Sequence, residues 1–289
     1  MDVDLRKLRY FVAVAELLHF GRAAERLHIA QPVLSRQIRA LERELGVGLF
    51  VRDKRGTELT AAGDRLLTDA RPLLDAAQAL RRRVAQAARG QDRFTIGFMP
   101  GVAVAGVLRA LAERHPRLTV DVVRLSSDDQ VEMIRDGRVD VAFLRLPVDT
   151  RGLQIRPLWE EPRVAMLPAT HRLAGKEHIG VADLADEHLL QAADSVPEWR
   201  DLATELRTGT PVALPVFTAV EEKLEHVAAG HGVAVLPLSA ATAYVRTDVV
   251  HVPVRDIAPN QVGLGWDASR HDVLISEFAS IAEGMGPVG

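Results

Sequence analysis

Arginine recurs at positions 36, 39 and 43 of the stretch Gln31–Leu45, interleaved with Leu34, Ile38, Leu41 and Leu45. The aliphatic residues step by four, three and four, the spacing of one buried helix face. At ~100° per residue the arginines and Pro32 fall on the opposite face. A guanidinium stays charged at every physiological pH and presents paired donors that match phosphate oxygens and guanine edges. This helix therefore packs on a small core and offers a cationic outer surface to a polyanion. Gln31-Pro32 opens it, and proline is tolerated there because a first-turn N–H has no intrahelical partner. Other chemistry lacks its signatures. There is no Gly-x-Ser-x-Gly elbow, no glycine-rich phosphate loop followed by lysine and no His-Glu-x-x-His. Cysteine is absent, and the ten histidines are scattered, with His171, His178 and His188 off metal-ligand spacing. Gly230-His231-Gly232 fits a helix stop better than a dinucleotide turn. The expectation is a binding protein with no catalytic residues, no metal and no cofactor.

The arginine helix needs elements to hold it. Leu5, Leu8, Phe11, Val12, Ala15 and Leu18 predict a first helix with an apolar stripe. Ala23, Ala24 and Leu27 keep a middle helix small on its inner side, so helices cross closely, and His28-Ile29-Ala30 is the break before Gln31. Gly46-Val47-Gly48 ends the third helix. Leu49–Arg52 and Gly56–Thr60 then predict two short strands around a basic turn, Asp53-Lys54-Arg55-Gly56. Three helices and a basic hairpin make a helical winged helix-turn-helix over residues 1–60. Charge agrees: residues 1–90 hold 17 Lys and Arg against 11 Asp and Glu, and the remainder 19 against 28, so the net −3 hides a basic head on an acidic body.

Thr60 can cap a long helix from Ala61 to about Ala88. Leu66, Ala70, Leu73, Ala77, Leu80, Val84 and Ala87 repeat at four and three, with Leu67 and Leu74 widening the seam. A lone helix cannot bury such a seam, so residues 61–90 are expected to pair two subunits. Pro72 should bend the helix or force a local repair. Arg89-Gly90-Gln91-Asp92 is expected as a hinge. From Arg93 strands and helices alternate, which argues for parallel sheets. Expected strands are 94–98, 119–125, 139–144, 163–168, 188–193, 212–220, 232–237, 249–254 and 261–266. Expected helices are 102–114, 128–136 with Ser127 as cap, 221–229 and 269–283. No apolar run reaches the ~18 residues of a membrane span, and the first residues, MDVDLRKLRYF, carry no signal-peptide core, so the expected location is the cytoplasm.

The stretch LRYFVAVAELLHFGRAAERLHIAQPVLSRQIRALERELGVGLFVR, followed by LTAAG, resembles the amino-terminal domain of LysR-type bacterial transcriptional regulators. DGRVDVAFL and HVAAGHGVAVLP resemble the same family more loosely. Two positions depart from the common pattern: Ala30, where the family often has serine, and Gly21, where a hydroxyl residue is common. The loss of a serine cap costs ~1 kcal/mol in general. The resemblance implies an α/β effector domain over 91–289, similar to periplasmic binding proteins. It consists of two Rossmann-like subdomains, residues 91–162 with 264–289 and residues 163–263, with crossings near 161–163 and 264–267. It also implies a small-molecule effector between them, a tetramer built on the dimer, and RNA polymerase as a further partner. SSDDQVEMIRDGRVDVAFLRLP is similar to the branch that governs aromatic-compound catabolism, which favours an aromatic or other organic acid.

On that reading the Pro32 end of the third helix enters a major groove, with Gln31, Ser35 and Arg36 at bases or phosphates and Arg39 on the same face. Arg52 and Arg55 of the wing reach backbone or minor groove. Effector candidates lie at the carboxyl ends of strands: Gly101 and Val102 after the first strand, Ser126 and Ser127 after the second and Arg145 after the third. Ser195 and Glu221 face them across the cleft. Two helix starts, two hydroxyls and an arginine suit a small carboxylate. The competing class is a cytoplasmic solute-binding or sensor protein without specific DNA regulation, which the basic head argues against.

Overall fold

Asp4 starts the first helix by accepting the Arg6 N–H on its carboxylate at 2.8 Å. Helix α1 spans Leu5–Leu17, and Leu18 follows in a left-handed conformation, φ 46°. That turn leaves Leu18 exposed, outside the stripe predicted for it, while Tyr10 and Val14 join Leu8 and Phe11 in the core. Helix α2 is Phe20–Arg26 and α3 is Gln31–Leu45, which closes on Gly46 at φ 71°. The hairpin is β1, Phe50–Asp53, antiparallel to β2, Gly56–Leu59. Phe50 packs on Phe11 and Phe20 at ring separations of 5.4 and 5.7 Å, so wing and helices share one core with Leu34 and Ile38. The computed structural model describes residues 4–53, 56–88, 93–209, 217–284 and 286. Arg55 of the wing turn and the hinge expected at 89–92 lie outside the described residues.

Helix α4 is Ala61–Ala87 and runs through Pro72. Leu66, Leu67, Ala70 and Leu74 pack against the head's core. Leu73, Leu80 and Val84 of the same seam remain 44%, 56% and 61% exposed. The chain divides into two compact units near residue 88, and this helix belongs to the first.

The second unit carries β3 (Arg93–Phe98), α5 (Ala105–Arg114), β4 (Thr119–Arg124), α6 (Glu132–Arg135), β5 (Val141–Leu146) and β6 (Leu153–Glu161). After Pro162 come β7 (Arg163–Pro168), α7 (Pro197–Arg200), α8 (Thr204–Thr208), α9 (Val220–Ala228), β8 (Ala234–Pro237), α10 (Leu238–Ala243) and β9 (Val249–Pro253). The chain ends in β10 (Asn260–Asp267) and α11 (Val273–Glu283). One sheet has the order β4-β3-β5-β10-β6, the other β8-β7-β9. The parallel β3–β4 and β3–β5 pairs are the expected βαβαβ unit. The rest of the strand pairing is not parallel. β10 lies between β5 and β6 and is antiparallel to both. β8 and β9 are both antiparallel to β7, so they run parallel to each other on either side of a strand contributed earlier in the chain. Alternation along the sequence reports the β8–α10–β9 step and is blind to the strand between.

Several expected boundaries move. Helix α5 starts at Ala105, not Val102. The helix expected at 128–136 shrinks to Glu132–Arg135. Strand β5 continues through Arg145, and β6 occupies a stretch for which no strand was expected. At 188–193 there is a single bridge, Leu189 to Val233, followed by the 3-10 turn Ala193–Ser195. Of the strand expected at 212–220, residues 212–216 lie outside the described residues and Val220 opens α9. The return crossing falls between Pro253 and Asn260, not at 264–267, because all of β10 belongs to the first sheet.

Candidate functional site

In the head, Gln31, Pro32, Arg36, Arg39 and Arg43 are exposed and Ser35 is half-buried. Arg36, Arg39 and Arg43 line an open groove with Glu42, Gly46, Val47 and Gly48, and among the described residues none of the three arginines has a hydrogen bond or ion pair. The helix start lacks a side-chain cap, because the residue before Gln31 is Ala30. The middle helix is capped by an unexpected group: the His19 ring Nδ1 accepts the Arg22 N–H at 3.2 Å. A Cβ on Gly21 would stand 3.1 Å from that ring, so glycine at 21 leaves room for an imidazole cap where a hydroxyl residue was the family expectation.

Three residues that sequence reasoning did not single out as site residues fix helix to wing. Glu42 Oε1 accepts the N–H of Leu49 at 2.9 Å and of Phe50 at 3.4 Å, joining α3 to the start of β1. Thr60 Oγ1 donates to the Gly48 carbonyl at 2.8 Å and accepts the Gly63 N–H at 3.0 Å. A Cβ on Gly63 would lie 2.3 Å from the Leu49 carbonyl oxygen, so the glycine of LTAAG permits a backbone contact. The motif itself was visible; its partners, 12 and 14 positions upstream, were not. Arg52 departs from its expected role of reaching freely from the wing. Its guanidinium lies over the Phe20 ring, Cζ 4.0 Å from the centroid, a cation–π contact. Burial lowers its pKa, the Glu42 charge opposes this, and the Arg39 charge adds to it. Arg52 thus extends the cationic surface of α3 from a fixed position.

The second unit treats its arginines differently. Arg145 sits on β5 itself, nine-tenths buried, and donates from Nη1 to Glu161 Oε1 and to Asn260 Oδ1, the latter at 2.8 Å. Its Nη2 donates to the Pro100 carbonyl at 2.8 Å and to Ser239 Oγ at 3.0 Å. Glu161 Oε2 accepts the Ser239 N–H at 2.9 Å. Burial lowers the Arg145 pKa, and Glu161 counteracts it by charge and hydrogen bond. An arginine expected to await a ligand is therefore held by acceptors from both subdomains. Gly101, at φ +86°, meets α10: a Cβ there would stand 2.4 Å from the Ala240 nitrogen. Val102 is buried. Neither residue begins a helix.

Ser126 and Asp129 cap each other, Ser126 N–H to Asp129 Oδ1 at 2.8 Å and Asp129 N–H to Ser126 Oγ at 3.3 Å. Ser126 therefore takes the capping role expected of Ser127, which is exposed. Exposed Ser195 donates from Oγ to the Ala192 carbonyl at 2.6 Å and accepts from Gln191 Nε2 at 2.8 Å. Glu221 pairs with Arg124 of β4 at 2.7 Å and accepts the Tyr244 hydroxyl at 3.1 Å. Of the seven effector candidates, Gly101, Arg145 and Glu221 thus take part in contacts between the two subdomains.

Comparison with known proteins gives two family matches. Residues 5–64 match the bacterial regulatory helix-turn-helix proteins of the lysR family, and residues 87–285 match the LysR substrate binding domain. The chain is 34% identical over 293 residues to the Hca operon transcriptional activator HcaR of Escherichia coli (strain K12), covering 97% of each. Among solved structures it is similar to CbnR, a LysR family transcriptional regulator, with 25% identity, TM-score 0.57 and coverage of 97% of this chain and 98% of that one. Full-length CbnR in complex with its target DNA gives 26% identity, TM-score 0.54 and coverage of 97% and 99%.

Proposed function

The chain belongs to the LysR family of bacterial transcriptional regulators, and from that premise we propose which of its residues perform each part of the task. It is a DNA-binding regulator with an effector-binding domain, not an enzyme. Residues 1–60 bind DNA, with the start of α3 in a major groove and Gln31, Ser35 and Arg36 at base edges or phosphates. Pro32 sets the entry of the helix, Arg39 meets phosphate, and Arg52 with Arg55 carries the contact onto the wing. Residues 61–90 pair two subunits through the exposed row Leu73, Leu80 and Val84, which places two heads on a two-fold-related operator. Two such dimers form a tetramer, which works in the cytoplasm beside RNA polymerase. Residues 91–289 bind a small organic acid between the subdomains, near the loops of Val102, Ser126 and Ser127 on one side and Ser195 and Glu221 on the other. Gly101 and Arg145 shape that site through their contacts across it.

The observation that carries this reading is the set of three exposed arginines, unpaired among the described residues, on a helix whose wing is fixed to it by Glu42 and Thr60. The test is an anisotropy titration against DNA from just upstream of the protein's own gene, repeated across a salt series. Selective binding with a steep loss of affinity on added salt is expected. Arg36→Ala should weaken specific binding by ~1–3 kcal/mol and leave effector affinity unchanged. An Arg36→Ala protein that binds the operator as wild type does would remove this helix from the interface.

A further inference from the structure

Lys223 lies on the face of α9 that also carries Val220, Leu224 and Val227, and it is only 8% exposed. A cation on an apolar helix face needs a partner, since removal of an ammonium from water is costly unless an anion or acceptors replace the water. Among the described residues Lys223 has no side-chain hydrogen bond and no carboxylate within ion-pair distance. The acids nearby are otherwise engaged or stand off. Glu221, one half-turn earlier, is held by Arg124 and Tyr244. Glu225 pairs with Arg246. Asp128, on the turn after β4 in the other subdomain, is the charge that acts on Lys223, and it does so without forming an ion pair. Burial lowers the Lys223 pKa and Asp128 opposes this. The lysine thus has a buried stem on α9 of one subdomain and an ammonium that is unpaired among the described residues, keeps contact with solvent, and feels Asp128 of the 126–129 turn of the other. Arg145 and Arg124, the other cations of this region, are already neutralised by Glu161 and Glu221.

We propose that Lys223 receives the acidic group of the effector, a small carboxylate bound between the subdomains. This rests on the reading that the effector occupies that position. The carboxylate completes a charge pair that the protein leaves open, and the pair forms only when α9 and the 126–129 turn enclose the same ligand. Arg145, expected from sequence to take this role, instead holds the walls together.

Two measurements on the full-length protein test it. In the absence of ligand, Lys223→Met replaces an unpaired, partly desolvated ammonium with an apolar side chain of similar length, and the variant should melt at a higher temperature than wild type. Calorimetric titration then compares benzoate with benzamide and hexanoate with hexanamide. Wild type should prefer at least one carboxylate over its amide. Lys223→Met should lose roughly 10- to 100-fold of that carboxylate affinity with little change for the amide, and Lys223→Arg should retain part of the preference. A Lys223→Met protein that melts lower and keeps the preference would make Lys223 a structural partner of Asp128 and overturn the proposal. Wild type that prefers neither carboxylate overturns the ligand class. A bulky Ser127→Trp variant separates the two levels. A carboxylate weakened by Ser127→Trp but not by Lys223→Met binds between the subdomains without Lys223. One untouched by both binds elsewhere, and the underlying reading fails.

Discussion

The outer face of α3 and the interior of the effector half handle positive charge in opposite ways. On α3, Arg36, Arg39 and Arg43 are exposed and have no protein partner among the described residues. Elsewhere in the same unit, Arg26 of the head and Arg71 of α4 both reach Glu16, at 2.8 and 3.3 Å. In the effector half, Arg145 is enclosed by Glu161, Asn260, Ser239 and Pro100. Arg270 is held by Asp140 and Asp272, and Arg163 donates to the Ser195 carbonyl at 2.6 Å. Residue type is the same in both places, and what separates them is the absence of a partner among the described residues. By that criterion Lys223 belongs with the arginines of α3, although it is buried and they are not.

The contrast can be broken from either side. Removal of one member of the buried pair should have the largest effect. Glu161→Ala leaves the Arg145 guanidinium uncompensated and should cost ~3–5 kcal/mol of effector-half stability. Urea denaturation followed by tryptophan fluorescence reads this directly, since Trp159, Trp199 and Trp266 all lie in that half. A loss below ~1 kcal/mol would mean that water replaces Glu161 and that the pair is not structural.

Next in size is Glu42→Leu, which leaves the Leu49 and Phe50 N–H groups without their carboxylate and should cost ~1.5–3 kcal/mol in the head. Its DNA affinity should fall although no arginine has changed, and the effector half's denaturation should not move. Unaltered DNA binding would show that the wing does not need its tie to α3. The smallest effect is expected from Arg124→Ala. The Arg124–Glu221 pair is 44% and 51% exposed, so its loss should change stability by no more than ~1 kcal/mol, and added salt should shrink even that. A larger change would place this contact with Arg145 rather than with the surface.

The sequence was most readable where one face of one element decides the outcome. Leu34, Ile38 and Leu41 are buried and the arginines exposed as the helical period requires, and Thr60 caps α4 as expected. It was least readable where partners come from afar. Arg145 meets Glu161, Ser239 and Asn260 at separations of 16, 94 and 115 residues, and nothing local to it distinguishes a ligand-binding arginine from an ion-paired one. The early helix expected after Met99 failed for a local reason: Pro100-Gly101-Val102 turns against α10, and Val104 opens α5 with no side-chain cap. Strand β10 was placed nearly correctly along the chain and misjudged in direction, because alternation of strands and helices says nothing of a strand inserted between two earlier ones. Lys223 escaped notice since one lysine on an amphipathic helix is unremarkable until its burial is known.

The position of β10 also sets an order of assembly. It separates β5 from β6 in the first sheet, although it is synthesised about a hundred residues after them. On the ribosome, where domains generally fold in the order in which they emerge, the head and α4 are complete while this sheet still lacks its inner strand. The second sheet, β8-β7-β9, has all its strands by Pro253 and closes first. Arg145 and Glu161 gain Asn260 only when β10 emerges. A nascent chain therefore possesses its DNA-reading surface well before it possesses a finished sensor.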